Sequence, residues 1–255
     1  MSLIGALKAV GQRRARKYKN IYLPVRRSNE KLADDDSYIN SALSQIDSLR
    51  QYLELNQTTR IIDFGYGQGR FANGLILKLP DLQHYTGVDT DASAIKWCKR
   101  WIERYHPNFQ FHFIPAQNAR YNPSSVPRQE LTLKQKGFRL AFLNSVFSHM
   151  LIEDVKFYLG EMHKLLIPGG VIYATAFVEE SVPEIEENPD GYLSEDCVGP
   201  LHRVRYEKTY LLNLFKKAGF DLIDFEYRGI KRTGQSIIVA GGKCIDPKTD
   251  TDIVS

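Results

Sequence analysis

Apolar positions follow two rhythms in this chain. Short, nearly continuous apolar runs fall near residues 60–64, 85–89, 109–114, 138–143 and 171–177, the pattern of strands buried on both faces. Between them apolar residues recur every three or four positions, near 68–79, 92–104 and 152–166, the pattern of amphipathic helices. In the last of these Val155, Tyr158, Leu159, Met162 and Leu165 share one face. Strand and helix in alternation predict an α/β fold with a parallel sheet. A further helix is expected from about Tyr38 to Leu55, with Asp34, Asp35, Asp36 and Ser37 as N-cap candidates. A final helix near 207–218 stops at Gly219, and strands near 221–228 and 234–241 follow, joined as an antiparallel hairpin through Lys231-Arg-Thr-Gly234. Residues 1–20 read as a short helix, apolar first and basic afterwards, interrupted by Pro24.

Two connections exceed the usual length of about 4–6 residues. Residues 115–137 hold Asn118, Tyr121 and Asn122-Pro123, and residues 179–205 hold eight acids against Arg203 and Arg205. Both are long enough to serve as lids or to be plain insertions. The second follows the carboxyl end of a strand, the edge at which α/β sheets bind ligands.

The chemistry is concentrated at the first strand. Residues 61–69 read Ile-Ile-Asp-Phe-Gly-Tyr-Gly-Gln-Gly, an apolar run ending at Asp63 and a turn with Gly65, Gly67 and Gly69 before a helix. Such a turn lets the backbone approach a ligand closely, and the helix behind it offers free N–H groups. The spacing Gly-x-Gly-x-Gly differs from the dinucleotide fingerprint, whose third glycine would fall at Arg70. Asp89 ends the next strand, 20 residues after Gly69, where a carboxylate accepts from two ribose hydroxyls. Capping of the following helix is the competing role for this region, open also to Asp91 and Ser93.

With these residues on the page, the chain resembles the class I S-adenosylmethionine-dependent methyltransferases over roughly residues 40–242. Asp63-Phe-Gly-Tyr-Gly-Gln-Gly69 is similar to the family's first motif and Gly87-Val-Asp89 to its second. Residues 138–150 resemble its fourth strand and the turn after it, and Leu166-Ile-Pro-Gly-Gly170 its turn into strand five. The resemblance implies a Rossmann-like, seven-stranded, mostly parallel sheet flanked by helices, its last strand antiparallel. It implies S-adenosyl-L-methionine as cofactor, held by Asp63, Gly65, Tyr66, Gly67, Gly69, Asp89, Thr90, Gln117, Asn118 and Asn144. One departure stands out. The acid that many members place after strand three, against the adenine amine, is absent from Phe111 to Asn118, so an amide oxygen of Gln117 or Asn118 takes its place. Tyr66 replaces a small residue, and its ring either lines the sulfonium or packs.

Methyl transfer needs alignment of nucleophile, methyl and sulfur, and a base only for a protonated nucleophile. His149, after strand four, is the candidate base, with orientation of the turn as its alternative role. Tyr22, Arg26, Arg70 and His202 are the substrate candidates, and Arg70 suits a carboxylate through its fork of donors. The expected activity is transfer to a small molecule, at an oxygen of a sugar-like or glycan-related compound. The rivals are an NAD(P)-dependent oxidoreductase, a nucleic-acid methyltransferase and a silent binding module. The glycine spacing opposes the first. The lack of any nucleic-acid module opposes the second.

Composition adds limits. A hydrophobic share of 43% and a charged share of 25% are those of a soluble globular protein, and no apolar run approaches the roughly 20 residues of a membrane span. Cys98, Cys197 and Cys244 are too widely spaced for a disulfide framework or metal cluster, so no metal is expected and a reducing cytosol is the default. The net charge of +4 is uneven: residues 1–31 carry +8, leaving −4 for the rest. This divides the chain into a basic arm and lid at 1–37, a methyltransferase domain at 38–242 and a tail at 243–255. The arm suits an anionic membrane surface, at which the protein would be peripheral, or a phosphorylated substrate.

Overall fold

The computed structural model describes residues 14–27, 34–126, 128–194 and 196–242. Its centre is a sheet of seven strands: β3 (Arg60–Phe64), β4 (His84–Asp89), β5 (Phe109–Phe113), β6 (Phe138–Leu143), β7 (Leu166–Glu179), β10 (Phe220–Ile230) and β11 (Gln235–Gly242). They lie in the order β10-β11-β7-β6-β3-β4-β5. The run from β7 to β5 is parallel, whereas β11 pairs antiparallel with both β7 and β10. This is the expected Rossmann-like topology with an antiparallel last strand.

The strands are apolar on both faces because helices cover both. Successive residues divide between two cores. Ile61, Leu140, Phe142, Val171 and Tyr173 pack beneath α1 (Asp35–Leu49), α2 (Arg70–Lys78) and α3 (Ala92–Cys98). Their neighbours Ile62, Ala141, Leu143, Ile172 and Ala174 pack beneath α4 (Ile152–Leu165) and α5 (Lys208–Lys217). Asp34 caps α1 by accepting from Ser37 N at 2.7 Å. The helix stops at Leu49, earlier than expected; Leu53 and Leu55, two residues apart, are buried from an irregular segment instead. Beyond α3 the chain continues as a π-helical turn, Lys99–Glu103.

The N-terminal segment differs from the sequence expectation. In place of a helix, β1 (Ala15–Tyr18) and β2 (Ile21–Pro24) form an antiparallel hairpin that turns at Lys19, where φ is 52°. Alternation explains it: Ile21 and Leu23 are 1% and 0% exposed, on the core side, while Tyr22 faces away. Both belong to the same core as α1 and α2, so apolar packing begins well before Tyr38 and a boundary at residue 37 cuts through it. The charges of this segment are partly spent within the fold. Arg16 and Arg27 both pair with Asp35, and Tyr18 Oη donates to Asp36 at 2.6 Å. Residues 1–13, 28–33 and 243–255, and with them much of the basic arm and the tail, lie outside the described residues.

The acidic connection is also structured in part. β8 (Ile185–Glu187) pairs antiparallel with β9 (Val204–Glu207), which runs parallel to the end of β7. This places residues 201–207 beside the carboxyl edge of the sheet. Among the described residues no helix is long and apolar enough to cross a membrane.

Candidate active site

A cleft of about 740 Å³ opens at the carboxyl ends of β3, β4, β6 and β7. Its floor is the glycine turn. Gly65, Gly67 and Gly69 all have positive φ, at 75°, 55° and 71°, and a Cβ added at Gly67 would point into open space. The Asp89 carboxylate fixes this turn: Oδ2 accepts from Gly67 N at 2.7 Å and Oδ1 from Asp91 N at 2.8 Å. The carboxylate keeps acceptor capacity beyond these bonds for a ligand. The capping role falls to Asp91, which accepts from Ser93 N at 2.8 Å. Burial pushes the Asp89 carboxyl up to about 6, although the N–H groups of Asp91, Gly67 and Thr90 pull it down. Thr90 lines the cleft beside it.

Asp63 is 2% exposed and accepts from Tyr85 Oη at 2.6 Å through one oxygen. Burial raises it to about 7, against the lowering effects of Tyr85 and the Arg70 charge. Buried Asp63 and part-buried Asp89 both line the cleft, neither in a salt bridge among the described residues, and the Asp89 charge helps to raise Asp63.

The other expected residues divide. Asn144 lines the cleft, its Oδ1 held by Gln45 Nε2 at 2.5 Å and its Nδ2 left for a ligand. Tyr66 also borders the cleft, but its ring packs edge-on against Phe111 at 4.8 Å and over Gly87, where an added Cβ would lie 2.6 Å from it. Packing, not a face turned to a sulfonium, is the observed role. Asn118 is used up by the loop: its Oδ1 accepts from Arg120 N and Tyr121 N, and its Nδ2 donates to His149 O at 2.9 Å. Of the two amides expected to replace the missing acid, only exposed Gln117 keeps its oxygen, since Nε2 donates to Pro123 O.

His149 lines the cleft with its Nδ1 at 2.9 Å from Leu201 O and its ring edge-on to Tyr121. Desolvation lowers it to about 4, so it is neutral near pH 7, with Nδ1–H donating and Nε2 bearing the lone pair. Arg70 and His202 line the cleft as well; Arg70 Nη1 donates to Ser41 Oγ at 2.9 Å, and His202 Nδ1 accepts from Val198 N at 2.6 Å. Tyr22 and Arg26 do not. Tyr22 packs with tilted rings against Trp101 and Tyr105, at 5.0 and 4.8 Å, and Arg26 is exposed with its carbonyl accepting from Gln68 Nε2. Tyr22 lies on the outer face of β2 and Arg26 follows that strand, so neither folds over the cleft as the expected lid.

Sequence reasoning also passed over a polar network at the far wall. Thr175 Oγ1 takes Ser145 N at 2.7 Å, and Gln235 Oε1 accepts from Thr175 Oγ1 at 2.6 Å and from Ser145 Oγ at 3.0 Å. Ser145 adopts φ 58° to make these contacts. The available signal was a polar residue inside each of two apolar strands, β7 and β11.

A family model of the methyltransferase domain matches residues 37–224. The chain belongs to the class I S-adenosylmethionine-dependent methyltransferases. Mouse (Mus musculus) arsenite methyltransferase is 25% identical over 130 residues, 50% of this chain and 33% of that protein, so the chain spans about a third of that relative. Among solved structures, a methyltransferase of this dependence from Methanosarcina mazei superposes with a TM-score of 0.53 at 17% identity, covering 77% of this chain and 97% of that one. The Burkholderia thailandensis 1,6-didemethyltoxoflavin-N1-methyltransferase, solved with S-adenosylhomocysteine, gives 0.51 at 18% identity over 82% and 80%. The [4+2]-cyclase SpnF gives 0.57 at 15% identity over 80% and 82%. At such identities the likeness is one of fold.

Proposed function

We propose that this methyltransferase transfers the methyl group of S-adenosylmethionine to a small polar acceptor, at an oxygen of a sugar-like compound. The observation that carries the cofactor half is Asp89: a part-buried carboxylate that braces the glycine turn and keeps acceptor capacity toward the cleft. When bound, the cofactor supplies an electrophilic methyl on a sulfonium. The residues fit it. Asp89 would accept from the ribose hydroxyls, Asp63 and Asn144 would face the methionine end beside Gly65, and Gln117 Oε1 would take the adenine amine. The open space at Gly67 suits close approach of a ligand to the backbone.

The acceptor half rests on the rest of the cleft, which continues from the glycine turn to Phe177 of β7, His202 and Arg203 of the β8–β9 insertion and the β10–β11 turn. Polar side chains with aromatic walls suit a polyol. His149 Nε2 is the base of this reading: already neutral, it takes a hydroxyl proton while Leu201 O holds its other nitrogen. The basic arm is assigned to an anionic surface or substrate outside the catalytic step. Calorimetry with S-adenosylhomocysteine tests the first half, with binding expected and absence of binding overturning it. Transfer of labelled methyl to a panel of sugars, phenols and RNA tests the second, and label in RNA alone would reverse the acceptor assignment.

A further inference from the structure

Two arginines that line the cleft are in no salt bridge among the described residues. Arg70, half-buried at the start of α2, makes one hydrogen bond, to Ser41 Oγ. Arg232, on the turn between β10 and β11, lines the same cleft. Among the described residues neither is in a salt bridge, unlike Arg16, Arg27, Arg205 and Arg228, which all pair with carboxylates. Burial lowers the pKa of the Arg70 guanidinium, the Arg232 charge adds to this, and Asp63 opposes it. Asp63 offsets Arg70 through space only, no carboxylate bonds either guanidinium among the described residues, and the natural complement of two such like charges is an oxyanion.

A third donor stands with them. Gln235 is 3% exposed, and its Oε1 is fixed by the hydroxyls of Thr175 and Ser145. That leaves Nε2, without a protein partner among the described residues, on the cleft wall three residues from Arg232. The strained Ser145 backbone and the polar interior of β7 serve to hold this one amide outward. A donor so placed has no function in packing, because both hydroxyls and the oxygen are satisfied without it.

We infer that Arg232, Gln235 Nε2 and Arg70 form an oxyanion subsite, so that the methyl acceptor carries a carboxylate or a phosphate. Two forked guanidinium groups and an amide offer more N–H donors than one oxyanion needs, and the rim position of Arg232 admits an anion after the cofactor is seated. The inference rests on the reading of this cleft as a methyl-transfer site. It narrows the acceptor from a neutral polyol to an acidic or phosphorylated one.

The test uses the full chain saturated with S-adenosylhomocysteine, whose binding is first verified by calorimetry. Inorganic phosphate, glucuronate and neutral glucose are then titrated at constant ionic strength. Phosphate, glucuronate or both should bind in the millimolar range and glucose at least tenfold more weakly. Phosphate alone assigns a phosphorylated acceptor, and glucuronate alone a carboxylate. Arg232→Gln and Gln235→Ala should each weaken the anion at least fivefold while cofactor affinity stays within twofold, and Arg232→Lys should recover part of the loss. Lys231→Gln, next to the site, should change nothing. The melting temperature of each variant separates lost binding from lost folding. If S-adenosylhomocysteine binds but neither anion binds better than glucose, or if Lys231→Gln matches Arg232→Gln, the subsite is wrong while the cofactor site stands. If S-adenosylhomocysteine itself fails to bind, the underlying reading fails first.

Discussion

Replacing Asp89 by alanine separates the cofactor role of this residue from its structural one. The carboxylate accepts from Gly67 N and Asp91 N and retains acceptor capacity toward the cleft. A hydrogen bond to a charged group is worth about 1.5–3 kcal/mol. Water entering the vacated space returns part of two such bonds, so the expected loss is about 2–3 kcal/mol, or roughly 30- to 150-fold in Kd. Stability moves much less. Raising a carboxyl from 3.8 to about 6 costs the ligand-free fold about 3 kcal/mol at pH 7.5, and that cost disappears in the variant. It offsets the two backbone N–H groups left bare, at about 1–3 kcal/mol each. Calorimetry with S-adenosylhomocysteine reads the affinity and thermal melting the stability. The sign of the pH dependence follows from the same shift. A folded pKa above the unfolded value stabilises the fold fully below about pH 4, and this contribution is lost as pH rises through about 6. Ligand hydroxyls that donate to the ionised form reverse that preference, so affinity should fall about tenfold per unit below pH 6. Unchanged affinity in Asp89→Ala, or an affinity flat from pH 7.5 to 5, would remove Asp89 from the binding site.

His149→Ala should lower turnover by about 10²–10⁴-fold with cofactor affinity nearly intact; a loss under tenfold that His149→Asn restores would mean only that the ring clamps Leu201 O. Because its folded pKa of about 4 lies below the ordinary 6.5, His149 contributes stability that is present above pH 6.5 and lost as pH falls toward 4, so the acid limb of the urea midpoint should flatten in His149→Gln. Leu23→Ala, at a site with 0% exposure, should cost about 2–5 kcal/mol in urea unfolding, and a cost under 1 kcal/mol would detach the hairpin from the core. Deleting residues 1–13, which spares β1 and its pairs to α1, should leave melting unchanged and weaken sedimentation with anionic liposomes at low salt; equal, negligible binding with and without the segment would limit its charge to solubility.

The central sheet was legible because each strand announces itself as an apolar run and each helix as a 3.6-residue stripe, and both follow from burial alone. The glycine turn and Asp89 were legible because their chemistry is local, contained within one strand–turn–helix unit and the end of the next strand. Residues 15–24 were misread because four-residue strands hold only two core-facing positions each, and the basic residues between them fit a helical surface equally well. Asn118 lines the cleft, but its oxygen proves unavailable for a related reason. Its side chain is consumed by Arg120 N and Tyr121 N within an Asx-type turn, a use that its composition shares with ligand binding. Arg232 and Gln235 were passed over because their meaning depends on Thr175 and Ser145, which lie 60 and 90 residues earlier in the chain.

The sign of the unmet polar capacity along the cleft, more than its amount, argues for a built site. Outside the cleft some buried polar groups are fully paired, whereas Asn73 Oδ1 and Ser148 Oγ lack a hydrogen-bond partner among the described residues. Glu161, 4% exposed, accepts from Leu131 N at 2.7 Å and pairs with Lys164 at 2.6 Å. Tyr206 spends its hydroxyl on the carbonyls of Phe147 and Met150. Along the cleft the same accounting leaves a remainder: one oxygen of Asp63, acceptor capacity on Asp89, the amides of Asn144 and Gln235, and two guanidinium groups. The remainder also divides by sign. Acceptors gather over the glycine turn, where a ligand bearing hydroxyls and an ammonium belongs, and donors gather at the β10–β11 side, where an oxyanion belongs. The cofactor carries a carboxylate of its own, but donors on both the glycine-turn side and the β10–β11 side suit two ligands meeting near the end of β6, beside Asn144.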